Sequence, residues 1–263
     1  MRSRVNAGAL IGSPAGARAL MAAALPRLVT RRDRSSRALA RALRTAALGR
    51  VPAEERAWAQ RIEARRRELL SRQATTDVSN VEFEGPMEVS AAAWWLSLPP
   101  VWCAFLMRLV RELGPRSAVE LGSGLGISGA YQGAALREEG TAGLVTLDAS
   151  EAWAELAREG FAELGLADTV VLRLGDIAQT LPGVLVEIAP LDYAFVDAEH
   201  TEEGTIAYFD AIAPHLAPGA VVVIDDVTYP EQSRRAWRAI RRRPAVARAL
   251  WLGRVGVVLA SDA

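Results

Sequence analysis

The spacing of apolar residues changes at about residue 116. Before this point the pattern is helical: apolar positions recur every three or four residues from residue 17 to 72, and Pro26 and Pro52 divide this region into pieces. A further apolar helix is predicted for "VWCAFLMRLVREL", which a Gly-Pro pair ends. Residues 73–98, between these helices, have no clear period and are predicted to be irregular.

After this point, five apolar runs of strand length alternate with helical segments: "SAVELG", "GLVTLDA", "VVLRLGD", "LDYAFVDA" and "AVVVIDD". Strands that are apolar almost throughout and are joined by helices are typical of a parallel sheet covered on both faces. Two last strand-like runs flank Gly253-Arg254, too close together for a helical crossover, so they predict an antiparallel hairpin. We therefore predict an α/β fold with a doubly wound, Rossmann-like sheet that is mostly parallel.

Charge is distributed unevenly along the chain. The formal net charge is zero, but residues 1–72 contain 17 arginines and only 5 acidic residues, so the remainder is acidic. We predict an arginine-rich helical extension over residues 1–80 and an α/β domain over residues 81–263. The extension could be a solvated appendage, a lid or a dimerisation element that forms a homodimer. An acidic α/β domain makes nucleic acid a poor partner, although a basic arm could touch phosphate or anionic lipid.

Composition excludes several kinds of chemistry and location. All 31 basic residues are arginine, so Schiff-base and P-loop lysines are absent. The single cysteine, Cys103, cannot form an internal disulfide, and its apolar surroundings predict a buried thiol. No run reaches the roughly 18 apolar residues of a membrane span. Arg18 interrupts the apolar N-terminal segment that could be mistaken for a signal peptide, so we expect a cytoplasmic protein.

Acidic residues follow all five predicted parallel strands. They are Glu120, Asp148, Asp176, Asp197 and the Asp225-Asp226 pair. Ligands of doubly wound sheets bind beyond the carboxyl ends of the strands. One such acid could be a helix cap or a solvated loop residue, but five in succession indicate a common site.

A glycine loop follows the first of these strands in "AVELGSGLGISGAY", with the spacing G-x-G-x-G. Glycine lets the backbone turn sharply and approach a ligand, and the next helix directs its free N–H groups at the loop. Asp148 is placed to accept hydrogen bonds from ribose hydroxyls. Asp176 could accept one from an adenine amino group, with Ile177 against the ring. The acidic surroundings favour a cationic nucleoside over a phosphate.

The segments "VELGSGLG", "TLDAS" and "GDI" resemble the first three motifs of class I S-adenosylmethionine (SAM)-dependent methyltransferases, and the resemblance covers about residues 90–263. It implies that Asp148 holds the ribose and that Asp176 and Ile177 hold the adenine. Glu120 would brace the loop and the methionine amino group. The residues implied to line the methionine and ribose part are Gly122, Ser123, Gly124 and Gly126.

"LDYAFVDAEHT" and "GAVVVIDDV" are similar to the metal-assisted O-methyltransferases of bacteria that methylate sugars and phenols of natural products. The resemblance implies that Asp197, Asp225 and Asp226 hold Mg²⁺. A bound cation would lower the pKa of an acceptor hydroxyl, and carboxylate oxygens suit Mg²⁺. Glu199 or His200 could then take the proton, so the predicted catalytic residues are Asp197, Glu199 and His200. The "AEH" sequence departs from the combinations common in that group, which leaves the base open.

These motifs favour Mg²⁺-assisted O-methylation of a small hydroxylated molecule. One alternative is a metal-independent class I methyltransferase acting on nitrogen, carbon or a carboxylate. Another is a non-catalytic SAM-binding module that binds partners through its basic helices. The glycine spacing disfavours a nicotinamide dehydrogenase. Trp94, Trp95 and Tyr229 are candidates for the wall of the acceptor site, with core packing as the alternative for both tryptophans.

Overall fold

The computed structural model describes residues 13–28, 30–77, 85–140 and 142–261. Residues 1–12, 29 and 78–80 of the predicted extension lie outside the described residues. The rest of it contains three helices, α1 (Pro14–Ala24), α2 (Arg34–Leu48) and α3 (Ala53–Ser71). Asp33 caps α2 by accepting a hydrogen bond from the backbone N–H of Ser36, and Gly49 ends it in the left-handed conformation.

The segment predicted to be irregular contains regular structure. Strand β1 (Thr75–Asp77) pairs antiparallel with β2 (Pro86–Glu88), and helix α4 (Val89–Leu96) follows directly. Helix α4 has no side-chain cap, and its sequence "VSAAAWWL" has no polar face, so neither usual signal of a helix is present. Helix α5 (Pro100–Leu113) ends at Gly114, as predicted.

Seven strands form the main sheet in the order β5-β4-β3-β6-β7-β9-β8. Strands β3 to β7 are parallel, and β9 is antiparallel to both β7 and β8. This confirms the mostly parallel sheet and the antiparallel hairpin. The strands are β3 (Ala118–Leu121), β4 (Leu144–Asp148), β5 (Val170–Leu174), β6 (Leu191–Val196), β7 (Leu216–Ile224), β8 (Val246–Trp251) and β9 (Gly256–Ala260).

Helices cover both faces of the sheet, as the apolar strands predict. The connecting helices are α6 (Ile127–Glu139), α7 (Glu151–Leu164), α8 (Ile177–Ile188), α9 (Glu202–Ile212) and α10 (Glu231–Ile240). Alternate residues of β6 belong to different hydrophobic clusters: Tyr193 and Phe195 pack with α5, α6 and α7, whereas Ala194 and Val196 pack with α8, α9 and α10. The sheet is therefore doubly wound.

The N-terminal helices share a core with the sheet. Met21, Leu43 and Ile62, one from each helix, are fully buried in the cluster that also holds Phe195. Several arginines of this region pair within the molecule: Arg65 of α3, for example, bonds Glu159 of α7 at 2.9 Å. Part of the charge separation along the sequence is thus compensated by contacts between helices. Dimerisation through these helices stays a prediction.

Among the described residues, no single helix is both long enough and apolar enough to cross a membrane. Helices α4 and α5 reach that length and composition only when taken together, and they are bent by 60° relative to each other.

Candidate active site

The carboxyl ends of the parallel strands border a cavity of about 320 Å³. This is within the size range of sites for small ligands. Most of the predicted site residues line it: Gly122, Ser123, Gly124, Asp148, Asp176, Ile177, Asp197, Glu199, His200 and Asp226. A smaller cavity of about 220 Å³ lies beside the start of α2 and the amino end of β7, and none of the predicted residues lines it.

The glycine loop needs glycine for two different reasons. Gly122 has a φ of 91°, and a Cβ there would overlap the carbonyl oxygen of Asp197, so only glycine lets the loops after β3 and β6 touch. Gly126 has a φ of 79°, and a Cβ there would lie 3.0 Å from Ala157 of α7. Gly126 therefore packs α6 against α7 and is not among the described residues that line the cavity, which differs from its predicted role.

Glu120 lies beneath this loop and is fully buried. Its Oε1 accepts a hydrogen bond from Gln132 Nε2, and its Oε2 accepts one from Thr146 Oγ1, both at 2.7 Å. Burial raises the pKa of this carboxyl to about 7. The predicted bracing role fits this position. The predicted contact with a methionine amino group does not, because Glu120 is not among the described residues that line the cavity.

Asp148 joins two loops at the end of β4. Its Oδ2 accepts a hydrogen bond from the N–H of Gly124 at 2.7 Å, and its Oδ1 accepts one from the N–H of Ser150 at 2.8 Å. Hydrogen bonds from backbone N–H groups to a carboxylate are stronger than neutral ones. Asp148 is only 7% exposed and lines the cavity, so its position is fixed before any ligand binds.

Asp176 and Ile177 form the next part of the rim. Asp176 is the N-cap of α8, and its Oδ1 accepts a hydrogen bond from the N–H of Gln179 at 3.0 Å. Both residues also line the cavity. Asp176 thus caps a helix and also borders the cavity.

A second group of acids gathers at the ends of β6 and β7. The ligand atoms of Asp197, His200 and Asp225 all lie within 4.8 Å of one another. His200 Nε2 is 3.4 Å from Asp197 Oδ1 and 3.7 Å from Asp226 Oδ2. Burial, reinforced by the nearby charge of Asp225, raises the pKa of Asp197 to about 6 and that of Asp226 to about 7. The converging group thus contains His200 where the sequence predicted Asp226.

Glu199 points to a different partner. Its Oε2 accepts a hydrogen bond from the hydroxyl of Tyr208 in α9 at 3.0 Å, and its Oε1 accepts one from Thr201 Oγ1 at 3.3 Å. The residue has a φ of 46°, in the left-handed region that is uncommon for residues other than glycine. Although Glu199 lines the cavity, its carboxylate is held by Thr201 and by Tyr208 of α9.

Arg254 is the site residue that sequence reasoning missed. It lies in the turn of the β8–β9 hairpin, and its Nε contacts both carboxylate oxygens of Asp225 at 2.9 and 3.0 Å. Its Nη2 lies 2.6 Å from Asp225 Oδ2 and 3.2 Å from Asp226 Oδ2. In the antiparallel pair of β7 and β9, Gly256 opposes Ile224, which places the turn beside the end of β7.

Three aromatic side chains near the site are exposed. Trp94 is 73%, Trp95 76% and Tyr229 80% exposed, so core packing is wrong for both tryptophans. Trp95 lines the cavity together with the three residues that follow it. The start of the chain's α/β part thus forms one wall of the site.

Residues 119–227 match the model of a family described as a methyltransferase domain. The matched range begins in β3 and ends just after β7. It therefore includes the glycine loop and every acid at a strand end.

Two relatives are each 31% identical to this chain over about half of its length. An O-methyltransferase of Aspergillus hancockii, hkm8, is 31% identical over 49% of this chain and 50% of its own length. A catechol O-methyltransferase of Mycobacterium tuberculosis is 31% identical over 47% of this chain and 53% of its own length. The chain thus spans about half the length of these relatives.

Solved structures share the fold. The O-methyltransferase TomG of Streptomyces achromogenes, in complex with SAM, is 26% identical with a TM-score of 0.54, over 63% of this chain and 82% of its own. An O-methyltransferase of Bacillus cereus, in complex with S-adenosylhomocysteine (SAH), has a TM-score of 0.54 at 21% identity, over 92% of this chain and 97% of its own. Residues 119–227 thus match a methyltransferase domain, and the resemblance of this chain to class I SAM-dependent O-methyltransferases is confirmed.

Proposed function

We propose that this chain is a SAM-dependent O-methyltransferase that acts on a hydroxyl group of a small molecule, such as a phenol or a sugar. The observation that carries the proposal is that one cavity is bordered by both groups of acids. The glycine loop and Asp148 lie in one part of it, and Asp197 and His200 lie in another. A methyl donor and an acceptor could therefore meet in the same space.

The donor would occupy the side of Asp148. This carboxylate is held in place by Gly124 and Ser150, which suits it to accept hydrogen bonds from ribose hydroxyls. Asp176 and Ile177 would contact the adenine. The SAM bound to TomG, which is 26% identical to this chain, supports the choice of this nucleoside.

The acceptor would occupy the side of Asp197 and His200. Methyl transfer forms a bond from the acceptor oxygen to the methyl carbon and breaks the bond from that carbon to sulfur, which leaves SAH. A phenol with a pKa near ~10 is mostly protonated at neutral pH, so the site must also accept its proton. His200, which lies 3.4 Å from Asp197, is the base that we propose. The exposed ring of Trp95 beside the cavity supports an aromatic or glycosidic acceptor.

Mg²⁺ is the part of the predicted function that fits least well. Both oxygens of Asp225 contact Arg254, and an imidazole stands in the converging group in place of the Asp226 carboxylate. Mg²⁺ prefers oxygen ligands in near-octahedral geometry. Binding by Asp197, Asp225 and Asp226 does not fit this arrangement, so we assign no step of the reaction to Mg²⁺.

Incubation with methyl-labelled SAM and a panel of phenols and glycosides tests the proposal. We expect SAH and a labelled methyl ether, and we expect neither product from an Asp148→Ala variant. Label on nitrogen, carbon or a carboxylate would support the first alternative. Tight SAH binding without turnover of any hydroxylated acceptor would support the non-catalytic module.

A further inference from the structure

The guanidinium of Arg254 stands where the resemblance places a divalent cation. It contacts both oxygens of Asp225 and one oxygen of Asp226, two of the three residues that were predicted to hold Mg²⁺. The planar fork of arginine matches a carboxylate in this two-point manner. Asp225 thus already has a cationic partner within the chain.

Burial makes this partner necessary. The side chain of Asp225 is 0% exposed, and that of Arg254 is 27% exposed. A buried carboxylate without a compensating charge is strongly destabilising, so one cation must remain beside Asp225. Asp197 and Asp226 add two more acids to the same small volume. Among the described residues, His200 is the other group near this cluster that can carry a positive charge.

The hairpin holds Arg254 in this position. The N–H of Val227 donates to the carbonyl of Arg254, and the N–H of Leu252 donates to the carbonyl of Val255, both at 2.9 Å. The hydroxyl of Thr228 bonds the carbonyl of Gly253 in the same turn. These hydrogen bonds connect the turn to the loop that carries both aspartates. The backbone therefore positions the guanidinium beside them, in addition to the attraction between the charges.

Part of the guanidinium faces the cavity. Arg254 is among its lining residues, and its Nη1 makes no hydrogen bond with any residue that the structure describes. The positive charge of Arg254 therefore lies at the edge of the cavity that Asp197 and His200 also border. A developing oxyanion there would be stabilised by such a donor in a partly buried site.

We propose that Arg254 is the resident cation of the acceptor site: it occupies the carboxylates that a divalent metal would need, and methyl transfer here proceeds without a metal. The claim that methyl transfer proceeds without a metal rests on the proposed function. The claim that Arg254 occupies the carboxylates concerns only the apo protein and can be tested without SAM or an acceptor.

Titration with Mn²⁺, followed by electron paramagnetic resonance, tests whether Arg254 occupies the carboxylates. Mn²⁺ is suitable because it favours the same oxygen ligands as Mg²⁺. We compare the wild type with Arg254→Met, and with Arg243→Met as the matched control. Arg243 pairs with Asp210 at 2.6 Å on the surface, away from the cavity. We expect Arg254→Met to bind Mn²⁺ at least about tenfold more tightly than the wild type, and the control to be unchanged. Equal affinity of the Arg254 variant and the wild type would overturn the proposal.

A measurement on the wild type covers the case in which Arg254→Met does not fold. The Nε–H resonance of Arg254 is assigned by its loss in Arg254→Lys and is then followed during addition of millimolar Mg²⁺. We expect no shift, and a saturable shift would show that Mg²⁺ displaces the arginine and would overturn the proposal.

The rate of turnover tests whether methyl transfer proceeds without a metal. Once an acceptor is known, EDTA should leave its rate of methylation unchanged. A rate that EDTA abolishes and Mg²⁺ restores would refute metal-free transfer. If the proposed function is wrong, SAH binding or turnover will not be observed, but the Mn²⁺ titration will still give the expected result. The two proposals can therefore fail separately.

Discussion

The two groups of acids at this edge of the sheet are held in different ways. Asp148, on the donor side, is held by backbone N–H groups of Gly124 and Ser150. Asp225, on the acceptor side, is held by the side chain of Arg254, 29 residues further along the chain. The proposed donor side is thus held by its own loops, whereas the proposed acceptor side depends on a distant hairpin.

This difference has a consequence for evolution and for experiment. Backbone donors persist whenever the loop keeps its shape, so the donor side tolerates changes elsewhere in the fold. A guanidinium can be removed by one substitution, which would leave a buried carboxylate without its partner. One substitution at Arg254 would therefore change the charge balance of the acceptor side.

Gly122→Ala should have the largest effect, because Gly122 lies where the two sides touch. A Cβ at this position overlaps the carbonyl oxygen of Asp197, and the φ of 91° disfavours any other residue. We expect the free energy of unfolding to fall by about 5 kcal/mol, from strain and overpacking together.

Gly140→Ala is the matched control for this substitution. Gly140 also has a positive φ, of 63°, but a Cβ added there would have no neighbouring atom within 4 Å. Urea denaturation should show a loss of about 1 kcal/mol for this variant. Equal losses for the two variants would mean that the loops after β3 and β6 do not meet.

Asp148→Ala should weaken binding of the nucleoside on the proposed donor side and leave the acceptor side unchanged. It loses two charge-assisted hydrogen bonds within the loops, as well as the predicted contact with the ribose. We expect calorimetry to show an SAH affinity about 1000-fold lower, equivalent to about 4 kcal/mol. The exposed residue Asp168, changed to alanine, should bind SAH like the wild type. Retained affinity in Asp148→Ala would place the nucleoside elsewhere.

Asp225→Asn should lower the stability of the protein without changing its affinity for SAH, which would show that the two sides are independent. It weakens the pair with Arg254, so we expect the free energy of unfolding to fall by about 3 kcal/mol. Asp225 is not among the described residues that line the cavity, so SAH affinity should change by less than about twofold. Denaturation and calorimetry on the same sample measure both quantities. A large loss of SAH affinity in the folded variant would show that the sides are not independent.

Glu120→Gln should have an effect over only part of the pH range. Burial raises the pKa of Glu120 from 4.5 to about 7 in the folded protein, so its contribution to stability is full below pH 4.5 and is lost as the pH rises through about 7. Across this window the wild type should lose up to about 3 kcal/mol of stability that the glutamine variant keeps. The exposed Glu155→Gln variant should follow the wild type. Parallel pH profiles for wild type and Glu120→Gln would contradict the burial effect.

Local patterns in the sequence predicted most of the fold and most of the residues that line the cavity. Apolar runs joined by helices predicted the parallel sheet, and the glycine loop with Asp148 lies at a strand end because adjacent parallel strands end at the same edge. Helix α4 was missed because a short apolar helix without a cap has no periodic signal. The exposure of Trp95 likewise depends on how that helix packs.

The acceptor side could not be predicted to the same depth. The sequence identifies Asp197 and Asp225 as strand-end acids, but it does not say which side chain will neutralise them. Arg254 reaches Asp225 only because β9 inserts between β7 and β8, and this strand order is a property of the whole sheet. Partners of buried charges are thus decided by topology.

Calorimetric titration of the wild-type protein with SAH, in buffer containing EDTA, tests the central claim most directly. We expect saturable binding of one SAH per chain, with the same affinity when Mg²⁺ replaces EDTA. Absence of binding in both buffers would contradict a methyl-donor site at this edge of the sheet. Binding that requires Mg²⁺ would contradict the role given to Arg254.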